Sequence, residues 1–92
     1  MMKAREILDK RITCEDLPVG EVKEVVFDPE QWKITHFEVK LSKEAAELAL
    51  GTRKGGIMNL LAVSAVGRIS ETVKLKVKKG QLRIYLSPKP QQ

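Results

Sequence analysis

Cys14 and His36 are the only cysteine and the only histidine in this 92-residue chain, and they fall on separate segments. A nucleophilic thiol needs a nearby base and an electropositive setting to ionise near neutrality, and nothing in the order of residues ties these two together. Cys14 reads as a small, half-buried apolar residue. One histidine and one cysteine are too few for a zinc site, and Glu38, Glu44 and Glu47 read as solvated faces. The glycine-containing stretch 51–56, GTRKGG, lacks the Gly-Lys-Ser/Thr ending of a phosphate loop, so it has neither the lysine nor the magnesium-binding hydroxyl. The expectation is a chain with no catalytic residues, no cofactor and no metal.

What the sequence does offer is binding chemistry. Trp32, the single tryptophan, has two readings: a ring folded back over its own domain, or an exposed anchor of the kind enriched at interface hot spots. The second candidate is electrostatic. The chain has 17 Lys+Arg against 12 Asp+Glu, a net charge of +5, yet the excess is unevenly spread. Residues 1–50 hold 8 basic and 11 acidic side chains, and residues 51–92 hold 9 basic side chains and only Glu71 acidic. Arg53, Lys54, Lys74, Lys76, Lys78, Lys79 and Arg83, with Tyr85 as one aromatic, form the expected basic surface. Such a surface suits an acidic partner, or serves only to keep an edge strand from aggregating. Aromatics are 4% of the chain, too few for the stacking platforms of single-strand nucleic-acid binders.

These side chains need elements to hold them. Residues 3–10 carry Ala4, Ile7 and Leu8 at helical spacing, a short lid or plug. Residues 12–14 read as a brief strand and 15–20 as a loop containing Pro18 and Gly20. Residues 21–27 form a strand that Asp28-Pro29 ends. Residues 34–41 alternate, with Thr35, Phe37, Val39 and Leu41 on one face and Ile34, His36, Glu38 and Lys40 on the other. Phe27 and Phe37 are expected to be buried. Ser42 caps a helix over residues 43–50, with Gly51 at its exit. Residues 57–63 read as a strand, 64–68 as a turn, and 70–78 with 81–86 as a final hairpin around Lys79-Gly80. In that hairpin Lys76 faces Arg83, and Leu82, Ile84 and Leu86 point inward. The pattern is mainly β: a single domain over residues 1–86, an antiparallel small barrel with one short helix between strands, and a flexible tail at 87–92. The N-terminus shows no signal-peptide core and no segment reads as membrane-spanning, so a cytoplasmic location without membrane insertion is expected.

The order KAREILDKRIT, PVGEVKEVVFDPEQWKITHFEVKL, a short Ser-Lys-Glu-Ala-Ala helix and LLAVSAVGRISETVKL resembles the photosynthetic-reaction-centre barrel (PRC-barrel) family, in particular its short stand-alone archaeal members. The resemblance covers residues 3–78. Its most specific part is the Gly20-x-Val22 entry, the Asp28-Pro29-Glu30 hairpin and the Lys33-Ile34-Thr35 exit. It implies a six-stranded β-barrel without catalytic residues that serves as a docking surface, in settings such as cell division or ribosome maturation. In the family's hairpin the position of Trp32 is usually glycine, because the tip takes a positive φ. The expected function is a non-enzymatic adaptor that binds a protein partner and self-associates as a dimer. The rival is an RNA- or ribosome-associated factor using the basic C-terminal hairpin.

Overall fold

The computed structural model describes residues 3–88. Seven strands form one sheet: β1 (Arg11–Cys14), β2 (Leu17–Asp28), β3 (Lys33–Leu41), β4 (Met58–Ala62), β5 (Val66–Ile69), β6 (Val73–Leu75) and β7 (Leu86–Pro88), in the order β5-β6-β1-β2-β3-β4-β7. Two helices, α1 (Ala4–Ile7) and α2 (Lys43–Leu50), accompany them. Alternation decides which side chains are enclosed. Ile12 and Cys14 on β1, Val22 on β2, Phe37, Val39 and Leu41 on β3, Leu61 on β4 and Val73 on β6 all point to one face and are buried there. The sheet curls round this core as a half-barrel. Ile7 of α1, Ala45 and Ala46 of α2, Ala65 and Leu82 fill its inner side.

The mainly β architecture matches the sequence pattern, but the sheet differs from a six-stranded antiparallel barrel. It has seven strands, and β1 runs parallel to β6, with Ile12 opposite Val73 and Cys14 opposite Leu75. The expected loop at 15–20 belongs largely to β2, which begins at Leu17. Gly20 allows that early start. A Cβ at this residue would stand 2.0 Å from the Lys40 carbonyl oxygen, and its φ of +154° is one that other residues rarely adopt.

The expected hairpin over residues 70–86 does not form. After β6 the chain winds into a 3-10 segment, Lys79–Tyr85. Strand alternation would have buried Leu82, Ile84 and Leu86 together. A three-residue turn instead stacks Lys79, Leu82 and Tyr85 on one side, so Leu82 is buried and Ile84 is 71% exposed. The segment starts on a fixed point, because the Lys79 amide donates to Glu15 Oε1 at 2.8 Å and Lys79 Nζ lies 2.9 Å from Asp16 Oδ1. Similarly, the expected turn at 64–68 is a 3-10 turn at Val63–Ala65 followed by β5.

The helix α2 follows its sequence signals. Ser42 Oγ accepts from the Ala45 amide at 3.1 Å, and the chain exits at Gly51 with φ 72°. At the C-terminus, Ser87 and Pro88 pair with Leu60 and Asn59 of β4, so the sheet takes in two residues of the expected tail. The rest of that tail, 89–92, lies outside the described residues.

Candidate interaction site

The hairpin joining β2 to β3 carries the most exposed large apolar side chain among the described residues, Trp32, together with exposed Phe27 and Ile34. Its tip is built by Asp28, whose carboxylate Oδ1 accepts from the Glu30 amide at 2.9 Å while its carbonyl accepts from the Trp32 amide at 2.7 Å. That closure places Trp32 at φ 55°, the left-handed region. The turn keeps the backbone conformation that glycine favours and sets a tryptophan in it, at a cost of about 1–2 kcal/mol. The ring is 81% exposed, so the reading in which it folds over the barrel rim does not hold.

Trp32 stacks on Phe27, with ring centroids 6.2 Å apart and planes 17° from parallel. Phe27 was expected inside. A register shift between Val26 and Phe27 sets it opposite Ile34 instead, whereas unbroken alternation from Val25 would have turned it inward. Phe27 is 52% and Ile34 42% exposed. Trp32, Phe27 and Ile34 thus form one apolar knob on the outer face, with Asp28, Glu30 and Lys33 around it.

The basic residues do not gather as expected. Lys74 on β6 and Lys76 just after it are exposed, but Arg83 lies on the 3-10 segment and does not face Lys76. Lys79 is held by Asp16; their hydrogen bond and mutual attraction lower the Asp16 carboxyl and raise the Lys79 ammonium from their ordinary values. Arg53 Nε lies 3.6 Å from Glu47 Oε1. Lys54 and Lys78 are exposed on separate segments, and Tyr85 is half-buried against the core. The sheet brings other cations to Lys74: Arg68 lies directly opposite it on β5, and β1, which carries Arg11, flanks it on the other side. Alternation alone marks Arg11 and Lys40 as outward-facing; the parallel β1–β6 pairing that sets Arg11 near Lys74 has no local sequence signal.

Chemically reactive groups are scarce. Cys14 is buried, and its Sγ donates to the Val77 carbonyl at 3.1 Å. Burial pushes the thiol above its ordinary 9.0, the Glu15 carboxylate adds to this, and Lys79 opposes it. Among the described residues, Asn59 is the one buried polar side chain, and its Oδ1 accepts no hydrogen bond. Also among the described residues, no group of three His, Cys, Asp or Glu side chains has a metal-holding arrangement, and no helix is long and apolar enough to cross a membrane. No protein-family model matches the chain, and no curated protein does.

Proposed function

We propose that this chain is a non-enzymatic docking module that self-associates through the tip of the β2–β3 hairpin and acts as an adaptor for protein partners. The carrying observation is the exposed Phe27–Trp32 stack with Ile34 beside it. A folded domain gains nothing in its own core from a tryptophan left 81% exposed in a strained turn. An interface does, because aromatic side chains in desolvated contacts supply most of the binding energy there. A second copy suits this patch. The knob carries both charge signs at its rim, Asp28 and Glu30 against Lys33, so a two-fold contact sets opposite charges across from one another.

The resemblance over residues 3–78 supports a PRC-type module, with the curled seven-stranded sheet as an opened form of that barrel. It is also what suggests a setting in cell division or ribosome maturation, in the cytoplasm. Light scattering over a concentration series tests self-association. A mass that rises toward a dimer in the native chain and stays monomeric in Trp32→Gly supports the proposal; a monomer throughout overturns it. The rival, an RNA- or ribosome-associated factor working through a basic C-terminal hairpin, loses the hairpin on which it rested.

A further inference from the structure

The outer face of the sheet away from the aromatic knob carries cations from four strands. Register places them in a band. Lys40 on β3 lies opposite Glu21 on β2, which lies opposite Arg11 on β1. On the far side of β1 comes β6, where Lys74 is aligned with Thr13, and then β5, where Arg68 is opposite Lys74. Lys76 completes the group: it crosses over Gly67, where a Cβ would stand 2.9 Å from its own Cβ. Strands lie about 4.8 Å apart, so from β3 to β5 the band runs roughly 19 Å across the sheet.

Three observations say that these charges await a counter-charge. Among the described residues, none of Arg11, Lys40, Arg68, Lys74 and Lys76 has a carboxylate within ion-pair distance. The one acid within the band, Glu21, lies 3.5 Å from Lys23 Nζ. Arg68 and Lys74 are like charges directly opposed on neighbouring strands, which is unfavourable in a bare sheet. Between Arg11 and Lys40 the surface also dips into an open depression of about 350 Å³, bordered by Thr13, Pro18, Gly20 and Ser42.

The geometry points to a phosphodiester backbone as the ligand of this band, held in duplex form and without base reading. A protein partner would need exposed aromatic or large aliphatic side chains to desolvate, and the band offers none: Ile12 and Leu41 under the depression are buried, Pro18 is its only exposed apolar side chain, and no aromatic lies within it. The same lack of stacking faces disfavours a single strand. Five cations spread in a line across strands match regularly repeated phosphates instead. The opposed Glu24–Glu38 pair separates the band from the aromatic knob, so the two surfaces act independently.

The test is fluorescence anisotropy of the whole chain with a labelled RNA duplex of about 20 base pairs and with DNA of the same sequence, in a salt series. Five phosphate contacts predict a log–log salt slope of about −4.5, so affinity falls about 500-fold between about 50 and 200 mM salt. The Arg68→Glu/Lys74→Glu variant, checked for native circular dichroism, loses more than tenfold in affinity and about 2 units of slope. Arg11→Gln/Lys40→Gln, which leaves the β5–β6 pair untouched, flattens the slope similarly, whereas Lys78→Gln/Arg83→Gln leaves it unchanged. RNA preferred over DNA, or the reverse, names the source of the backbone and supports the inference either way. No binding at low salt, equal binding by the charge-reversed variant, or tighter band-dependent binding to polyglutamate or to phosphatidylserine vesicles overturns it.

Discussion

Trp32 concentrates the conflict between folding and function at one residue. Its left-handed backbone costs about 1–2 kcal/mol, and its stack on Phe27 returns about 0.5–1.5 kcal/mol. Trp32→Gly relieves the first, forfeits the second and adds the backbone entropy of glycine, about 0.5–1 kcal/mol. The expected change in stability is within about 1 kcal/mol, read from urea unfolding followed by circular dichroism; a loss above about 2 kcal/mol would make Trp32 a structural residue. Cys14 gives a prediction of the opposite kind. Its thiol is held neutral in the folded chain, so its contribution to stability is complete below its ordinary 9.0 and is lost as pH rises through the higher native value. Stability should therefore decline above about pH 9, and Cys14→Ala should remove that part of the decline. An unchanged slope in the variant would assign the decline to Lys23 and Lys79, whose ammonium groups are raised by their hydrogen bonds to Asp9 and Asp16. The left-handed backbone at Trp32 was legible at this scale, because the resemblance puts that residue at a hairpin tip that takes a positive φ. The outward turn of Phe27 was not, because a register shift leaves no mark on local alternation.

At the scale of elements, the β2–β3 pair and α2 were readable because their signals are local: alternation in residues 34–41, Asp28-Pro29 at the turn, Ser42 and Gly51 at the helix ends. The C-terminal third was misread because its apolar residues, Leu82, Ile84, Tyr85 and Leu86, fit a two-residue period nearly as well as a three-residue one. The deciding contact comes from Glu15 and Asp16, more than sixty residues away. Gly20 gives the sharpest element-level prediction. A Cβ there would collide with the Lys40 carbonyl and force β2 and β3 apart, so Gly20→Ala should cost more than about 3 kcal/mol. Gly80→Ala meets nothing within 4 Å and should be neutral or gain about 0.4–1 kcal/mol. Equal thermal midpoints for the two variants would contradict this account of how β2 enters the sheet.

Over the whole molecule, the charge asymmetry seen along the sequence becomes a spatial division. Cations of the second half, Arg68, Lys74 and Lys76, join Arg11 and Lys40 across the sheet, and the acidic first half supplies the Glu24–Glu38 pair between that band and the knob. The parallel β1–β6 contact makes this union, which is why the sequence shows an excess of charge without showing where it collects. The central claim, that the aromatic knob is an interface between copies, is read most directly by the emission of Trp32, the only tryptophan, measured as concentration rises alongside the mass by light scattering. Self-association through the knob predicts a blue shift that follows the growth in mass and is absent in a Phe27→Ser variant that stays monomeric. Emission that stays solvent-like while the mass doubles, or a mass that never leaves the monomer, would contradict it.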